Sequence, residues 1–327
     1  MSSEIIVSVV MPVYNEEKYI EKCIDSLLLQ DYPTEKMEWI FVDGGSKDKT
    51  VELLEKYQNN HPELVRILNN PHKVVPFAMN IGIEASRGKY IVRLDAHADY
   101  ARDYITKCIY YLENIDADNV GGVAETSAEG FVGQAISQML STKFGVGGSD
   151  FRTGHGNRYV DTVPFGAFRR EVFDRVGLFN PELLRSEDND MNARIRENGG
   201  KIWLAEDIKF KYYCRDTVGG ILKMGLQNGN ALFHTLRKNR TAMSLRHFIP
   251  FAFLLSLIVM PILSAFIPVF LWAFAAELVL YFLLDVYFSF GKVRPVKCGF
   301  VTLWLYPVFH VVYGFGSLLG LVGIKLY

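Results

Sequence analysis

The sequence contains few cysteines and none of the spacings that would pair them. The four are far apart and show no C-x-x-C motif; they are Cys23, Cys108, Cys214 and Cys298. This distribution argues against a structural zinc site and a disulfide framework, and it indicates reduced thiols. Residues 1–4 carry no basic segment that leads into an apolar core with a cleavage site, so we expect no secretory signal.

An excess of charge of either sign is also absent. The chain has 35 Lys and Arg residues against 36 Asp and Glu residues, for a formal net charge of −1. It shows no internal repeat and no low-complexity segment, and no basic block stands out in the first 235 residues. This balance argues against general binding of nucleic acid.

Long apolar runs are present, but they are confined to one end of the chain. Each is long enough to cross the hydrocarbon core of a bilayer and none contains Lys or Arg; they span residues 248–266, 267–288 and 299–322. We expect three membrane-spanning helices after a basic interfacial segment, residues 236–247. Because the turn at Pro268 is tight, the first two runs could instead form a re-entrant hairpin, and this alternative stays open.

Basic residues flank these runs on one predicted side. They are Arg237, Lys238, Arg240 and Arg246 before the first run, and Lys292, Arg294 and Lys297 between the second and third. The positive-inside bias places both groups in the cytoplasm. We therefore expect an inner (plasma) membrane protein whose preceding domain is cytoplasmic.

Two acids, Glu277 and Asp285, lie within the second apolar run. Acids at membrane depth are costly and are often functional. We expect helix packing here, with Glu277 paired to His310 of the third run.

Residues 1–235 alternate short β-rich runs with amphipathic helical patterns. The predicted strands are residues 5–11, 39–42, 65–68, 90–94 and 120–124. Their order predicts an α/β domain with a mainly parallel sheet and covering helices. Ligands of such sheets bind beyond the carboxyl ends of the strands, where Tyr14-Asn15-Glu16, Asp43 and Asp95 fall.

Two turns at these strand ends are candidates for nucleotide contacts. Asn15 is placed to cap the helix that follows the first strand, or to contact a ligand. Asp43 opens the turn Gly44-Gly45-Ser46 and can accept from a base or ribose donor while the glycines allow close approach. The same residues are ordinary turn chemistry.

Asp95-Ala96-His97 follows the fourth predicted strand. Asp95 and His97 project to the same side of an extended segment, so a carboxylate and an imidazole can share a divalent cation. With diphosphate oxygens as further ligands, the pair suits Mn²⁺ or Mg²⁺, and the nitrogen favours Mn²⁺. Asp99 is a further candidate ligand, or a cap for the following helix.

Glu187-Asp188-Asn189-Asp190 opens a predicted helix. Acids at a helix N-terminus are favoured by the helix dipole without any catalysis. Adjacent carboxylates there can also hold a general base near a reacting carbon.

Together, these motifs resemble the family 2 glycosyltransferases of GT-A fold, a Rossmann-like α/β fold. The motifs are Pro12–Glu16, Val42–Ser46, Leu94–His97 and Glu187-Asp188. Within that family the chain is most similar to the ExoA-type succinoglycan biosynthesis glucosyltransferases, through Arg93–Ala98, Phe144–Arg152 and Val160–Gly166. The resemblance covers residues 5–235, and the apolar runs fit it as well.

The resemblance implies roles for individual residues. Pro12, Tyr14 and Glu16 would border the uridine of a UDP-sugar, and Asp43 would accept from the uracil ring. Asp95 would chelate the metal, with His97 where the family more often has a second Asp. Asp188 would be the base and Glu187 would orient nearby groups. Lys73 and Arg215 are candidates to stabilise the departing diphosphate, or are solvated surface charges.

The resemblance also implies an acceptor. Processive members of the family carry a Gln-x-x-Arg-Trp element, whereas this chain has Gln227-Asn228-Gly229-Asn230-Ala231. We expect one inverting transfer per encounter, of a hexose, with glucose suggested by the subgroup, to a polyprenyl-diphosphate saccharide for exopolysaccharide or capsule assembly. Two alternatives stay open: a polyprenyl-monophosphate sugar synthase, and a non-enzymatic nucleotide-sugar-binding membrane scaffold.

Overall fold

The computed structural model describes residues 4–154 and 156–327, which form two compact units. The first comprises the chain up to Glu125 together with Gly154–Tyr212. The second comprises Thr126–Thr153 and Tyr213–Tyr327. The predicted domain boundary at residue 235 stays a prediction; the second compact unit also includes the internal segment Thr126–Thr153.

A mixed sheet organises the first unit. Its strands are β1 (Val7–Val13), β2 (Met37–Asp43), β3 (Val65–Asn69), β4 (Tyr90–Arg93), β5 (Ala98–Tyr100), β6 (Asn119–Ser127), β7 (Arg158–Tyr159), β8 (Ala167–Arg169) and β9 (Ile202–Tyr213). Their order is β3-β2-β1-β4-β8-β6-β9-β5, with β7 beside β9. The strands β3, β2, β1 and β4 are parallel, and β8 begins the antiparallel part.

Helices cover this sheet and make up most of the second unit. They are α1 (Ile20–Leu28), α2 (Thr50–Asn60), α3 (Val75–Ala85), α4 (Tyr104–Asn114), α5 (Gly130–Leu140), α6 (Lys143–Val146), α7 (Asp150–Thr153), α8 (Glu171–Val176), α9 (Glu187–Glu197), α10 (Val218–Lys238), α11 (Ile249–Ser264), α12 (Val269–Val286) and α13 (Val296–Leu321). A short 3₁₀ turn, Leu245–Phe248, precedes α11, and a π-helical segment, Tyr287–Lys292, extends α12.

The central strands are buried on both faces because helices cover both sides of the sheet. Val9, Ile40 and Val92 are completely buried. Near-continuous Val, Ile and Phe runs are typical of such parallel strands. All five predicted strands are present, and the missed strands are short or alternate with charged residues, as β8 and β9 do.

A buried acid on β2 interrupts this apolar core. Glu38 on β2 is completely buried. It accepts hydrogen bonds from Ser8 Oγ at 2.7 Å, from Arg87 Nε at 3.0 Å and from Arg66 Nη1 at 3.0 Å. A buried carboxylate needs such partners, so this cluster ties β1, β2 and β3 together at the end opposite the strand carboxyl termini.

The three predicted apolar runs are helical and correspond to α11, α12 and α13. All three helices are long and apolar enough to cross a membrane. Pro268 lies at the predicted turn, where it precedes the first residue of α12.

The predicted pairing of Glu277 with His310 is wrong. Ser256 Oγ of α11 donates to Glu277 at 2.5 Å. The ring of His310 instead bonds Tyr281 Oη at 2.8 Å and the Phe144 carbonyl at 2.9 Å. Glu277 and Tyr281 are one helical turn apart, and α12 turns its acid towards α11 at that level.

Candidate active site

The carboxyl ends of β1, β2 and β4 meet at one edge of the sheet, because these strands are adjacent and parallel. A cleft with a volume of about 120 Å³ opens there. Its lining includes most of the predicted nucleotide-sugar residues, namely Pro12, Tyr14, Glu16, Lys73 and Asp95, together with His97. Residues from three separate turns are thus brought to one opening.

Glu16, Asp95 and His97 form a compact cluster in this cleft. Nδ1 of His97 lies 2.8 Å from Oδ1 of Asp95 and 3.2 Å from Oε1 of Glu16. One ligand atom from each residue lies within 4.8 Å of the others, a spacing that could hold a metal ion. The predicted pair of ligands therefore gains a third member, Glu16, whose expected role was to border the uridine.

The electrostatics of the cluster fit a cation. Burial lowers the pKa of His97, but the carboxylates of Asp95 and Glu16 outweigh burial and raise it well above its usual value. Burial raises the pKa of Asp95, but His97 and Arg93 outweigh it and hold that pKa below its usual value. A proton or a metal ion can occupy this negative site. Two carboxylates and one imidazole suit Mn²⁺, and Mg²⁺ less well.

Two neighbouring predictions are corrected by the structure. Asp99 is not a member of the cluster; it lies on β5 with Lys22 Nζ 3.0 Å from its carboxylate. Asn15 does not cap α1, whose N-cap is Tyr19. Asn15 has a φ of 54°. Its Oδ1 accepts a hydrogen bond from the backbone amide of Lys47 at 2.8 Å, so Asn15 joins the turns after β1 and β2.

Asp43 is occupied by its own turn. The amide of Gly45 donates to its carboxylate at 2.9 Å, and Ser46 Oγ donates at 2.6 Å. This is the ordinary turn chemistry that the sequence left open. A contact with a uracil ring would use the remaining lone pairs, and that role stays a prediction.

Lys73 lies close to the same turn. A Cβ added at Gly45 would be 3.8 Å from Lys73 Cε, and Lys73 itself is exposed. Its ammonium group is therefore free to reach an anion in the cleft. Arg215, the other predicted cation, follows β9 and belongs to the second unit, so its predicted role stays a prediction.

Arg93 links β4, the strand that precedes Asp95 and His97, to the predicted base Asp188. It is the last residue of β4, is only 5% exposed and lines the cleft. Its Nη2 donates to Glu187 Oε1 at 2.9 Å and its Nη1 donates to Asp188 Oδ1. Both acids begin α9, as predicted.

The surroundings of Asp188 raise its pKa. Burial raises its pKa, Arg93 opposes that change, and the carboxylates of Glu187 and Asp95 add to it, which together bring the pKa to about 7. A base with this pKa is matched to reaction near neutral pH. Arg93 and Asp188 are 95 positions apart in the sequence, and the fold brings them together as an ion pair.

Arg93 is the functional candidate that the sequence did not single out. The sequence places it within the predicted strand of residues 90–94. The available signal was a charged residue inside an otherwise apolar, buried run, Tyr90–Leu94. A charge in such a place needs a partner, and its position next to Asp95 pointed to the site.

Comparison with protein-family models decides the family. The model described as Glycosyl transferase family 2 matches residues 8–177, more than half of the chain, and this range includes Pro12–Glu16, Asp43 and Asp95–His97. The chain belongs to glycosyl transferase family 2.

Two relatives of this family 2 glycosyltransferase align with much of its length. A dolichyl N-acetyl-α-D-glucosaminyl phosphate 3-β-D-2,3-diacetamido-2,3-dideoxy-β-D-glucuronosyltransferase of Methanococcus voltae is 26% identical and covers 97% of each chain. The succinoglycan biosynthesis protein ExoA of Rhizobium meliloti is 27% identical over 75% of this chain and 74% of its own. The predicted family and the predicted enzyme class, a glycosyltransferase, are confirmed.

A solved structure shows the same fold. The mannosyltransferase PcManGT from Pyrobaculum calidifontis, in complex with GDP-Man and Mn²⁺, superposes with a TM-score of 0.64 at 18% identity. The match covers 94% of this chain and 86% of the other. The predicted GT-A fold is confirmed.

Proposed function

We propose that the protein transfers a hexose from a UDP-sugar to a polyprenyl-diphosphate-linked saccharide, with inversion at the transferred carbon. The product would serve exopolysaccharide or capsule assembly, and the likeness to ExoA suggests glucose. One observation carries the proposal: Arg93 holds Asp188 beside the strand end that bears Asp95 and His97. The candidate proton acceptor is thus paired with an arginine that lines the cleft of the candidate metal-binding residues.

The donor would lie across the strand ends. Pro12, Tyr14 and Glu16 border the cleft on the β1 side, and Asp43 holds the Gly44-Gly45 turn beside it. The exposed ring of Tyr14 offers a surface for a base. Lys73 supplies a positive charge for the diphosphate, which Arg215 would supplement.

Glu16, Asp95 and His97 would hold a divalent cation, Mn²⁺ or Mg²⁺. When bound, the cation neutralises charge on the departing diphosphate. The residues themselves supply one nitrogen and two carboxylates from two adjacent strand ends.

Asp188 would act as the base. Its carboxylate takes the proton of the acceptor hydroxyl while that oxygen forms a bond to the anomeric carbon, and the bond from that carbon to the diphosphate oxygen breaks. UDP leaves with the bonding electrons. The attacking and departing oxygens are on opposite faces of the sugar, so the configuration inverts.

The acceptor proposal rests on the apolar C-terminal helices and on the relatives. The Methanococcus protein carries a dolichyl-linked sugar phosphate in its name, and ExoA carries succinoglycan biosynthesis. An enzyme attached to the bilayer by α11, α12 and α13 would meet a lipid-linked acceptor at the membrane surface. We place it at the inner (plasma) membrane with a cytoplasmic catalytic domain, as the basic flanking residues favour.

The test is a donor panel. Purified protein in detergent or nanodiscs receives UDP-, GDP- and CMP-sugars with Mn²⁺, with Mg²⁺ or with chelator, and a polyprenyl-diphosphate saccharide. Released nucleotide and product mass are measured. We expect UDP release that depends on metal and on acceptor. Preference for a GDP- or CMP-sugar would refute the uridine assignment, and no release with any donor would favour a nucleotide-sugar-binding scaffold.

One observation favours a second candidate, a polyprenyl-monophosphate sugar synthase. The ion pair with Arg93 weakens Asp188 as a base, and a phosphate acceptor is already a nucleophile and needs no strong base. Asp188→Asn distinguishes the two: activity retained on polyprenyl monophosphate supports the synthase. Asp174→Asn, an exposed change on α8, is the matched control.

A further inference from the structure

The three apolar helices of the second unit are not equivalent. In the most apolar window of α13, 44% of the residues are buried, against 11% for the helix ending at Ser264 and 6% for the helix starting at Val269. In a small bundle, a helix that is surrounded by lipid has few side chains buried against protein. The position of α13 relative to the membrane therefore depends on the helices that it packs against.

The main partner is α10, which runs beside α13 in the same direction. A Cβ at Gly229 of α10 would overlap the Tyr313 carbonyl, and a Cβ at Gly316 of α13 would overlap the Leu226 carbonyl. The two backbones are therefore in contact. Lys223 of α10 is exposed two turns before Gly229, in a helix that also carries Gln227 and Asn228.

Such a helix does not belong in hydrocarbon. A Lys at the centre of a bilayer is costly to insert, and polar amides add to this cost. Only residues 214–217 separate α10 from β9, so α10 starts on the same side of the membrane as the catalytic strands. If α10 stays at the surface on that side, the part of α13 in contact with it does too.

The C-terminal tail is bound to the same helix. Asn230, which is completely buried, donates from Nδ2 to the Ile324 carbonyl at 2.9 Å and accepts from the Leu326 amide at 3.2 Å. Arg237 donates to the Leu321 carbonyl at 2.6 Å. These bonds cannot form if a bilayer separates the end of α13 from α10.

Charge at the two ends of α13 points the same way. Lys292, Arg294 and Lys297 surround its first turn, whereas Arg237 contacts its last turn and Lys325 follows it. If α13 crossed the membrane, one of these basic groups would face the far side. A helix that lies along the surface puts both against anionic headgroups of one leaflet.

The exposed face of α13 suits this position. It is apolar along most of the helix and consists of Val296, Phe300, Trp304, Val308 and Phe315. At 26 residues the helix is about 39 Å long, with its buried face on α10 and α11 and this face free to enter the interface.

The tip of the α11–α12 hairpin is also apolar. Phe266 is 79% exposed, and no charged residue lies between Arg246 and Glu277. A tip that emerged into water on the far side would expose Phe266, Ile267 and Trp272 together. Remaining within the bilayer avoids that cost.

We propose that the protein enters the bilayer from one side only and does not emerge on the other, with a bilayer carrying anionic headgroups as the partner of this surface. The α11–α12 hairpin inserts and returns, α13 lies along the interface, and Tyr327 is on the same side as the catalytic strands. This inference rests on the proposed membrane attachment and replaces the third span expected from the sequence. It makes the protein monotopic.

Labelling with a membrane-impermeant maleimide tests the topology. The four native cysteines are replaced by alanine, and single cysteines are introduced as Tyr327→Cys, Phe266→Cys and the control Glu55→Cys on the exposed face of α2. Right-side-out and inside-out vesicles are labelled. We expect positions 327 and 55 to react in the same vesicle orientation, and position 266 in neither until detergent is added.

Two results would overturn the proposal. Labelling of position 327 only in the orientation opposite to position 55 would restore a third span. Labelling of position 266 from the far side would show that the hairpin crosses. Should the cysteine-free chain fail to fold, protease digestion of a C-terminal epitope tag on the native chain, in both vesicle types, reports the same sidedness.

Failure of this inference is distinguishable from failure of the proposed function. Loss of the protein from carbonate-washed membranes would refute attachment itself. Retention with position 327 on the far side would refute only the arrangement in which the chain enters from one side. Donor turnover is measured on the same membranes and does not depend on which result is obtained.

Discussion

At the scale of single residues, an arginine connects the parts of the proposed reaction. Arg93 places its guanidinium against Glu187 and Asp188 while the chain runs on directly to Asp95. A base 1 Å out of place loses much of its effect, so the ion pair acts by positioning. The same cation lowers the pKa of the base that it holds, and the two effects can be measured separately.

Asp188→Asn removes the proton acceptor while it keeps the shape of the side chain. We expect kcat for transfer to a sugar hydroxyl to fall by about 10² to 10⁴-fold, with little change in the KM for donor. Initial rates of UDP release measure both. Asp174→Asn is expected to match the parent, and an equal loss there would show a general effect on the enzyme.

The pH profile follows from the raised pKa of Asp188. The base is inactive when protonated, so kcat/KM at saturating Mn²⁺ should rise with pH and reach half its plateau near pH 7. Arg93→Gln removes the group that lowers this pKa, so its inflection should move up. Glu187→Gln removes a group that raises it, so its inflection should move down. Shifts of both variants in the same direction would contradict this assignment.

At the scale of elements, packing explains which strands are recognisable. β1, β2 and β4 lie under helices on both faces and consist largely of apolar residues such as Val, Ile and Phe. Glu38 is a buried charge near the start of β2, and its cluster with Ser8, Arg66 and Arg87 holds the amino end of the parallel sheet. The carboxyl end, where the site lies, is left to turns and loops.

Glu38→Ala should destabilise the protein. The change leaves Ser8 and two arginines without their acceptor; water reaches part of both arginines, so we expect a loss of about 2 kcal/mol in the free energy of unfolding. Chemical denaturation measures it. Glu63→Ala, at an exposed acid, is the control and should stay within about 0.5 kcal/mol of the parent.

The same acid predicts a loss of stability at low pH. Burial raises the pKa of Glu38, but hydrogen bonds from Ser8, Arg87 and Arg66 outweigh burial and lower it. Its contribution is therefore present above the ordinary value of 4.5 and is lost as pH falls through the lower folded value. A Glu38→Gln variant should show a weaker acid dependence than the parent.

At the scale of the whole molecule, the membrane-facing unit bears on how many sugars are added. The chain has Gln227-Asn228-Gly229 where processive members of the family carry Gln-x-x-Arg-Trp, and the proposed hairpin with a surface helix would provide no polymer channel. We expect a product one hexose heavier than the acceptor, even with donor in large excess, by mass spectrometry. A ladder of products would contradict the single transfer.

The sequence by itself determined the fold class, the family and the strand ends that carry Asp43, Asp95 and His97. It did so because apolar periodicity and turn chemistry are local properties of the chain. It also located the three apolar helices. Those signals need no knowledge of which segments meet.

Only the tertiary structure decided which distant residues share a site. It placed Glu16 beside Asp95 and His97, joined Arg93 to Asp188, and turned Glu277 towards Ser256 instead of His310. It also packed α10 against α13. From composition alone, α10 belongs to a soluble domain and α13 is a membrane span. Long-range ion pairs and backbone contacts depend on the packing of whole elements, and no local pattern in the chain records that packing.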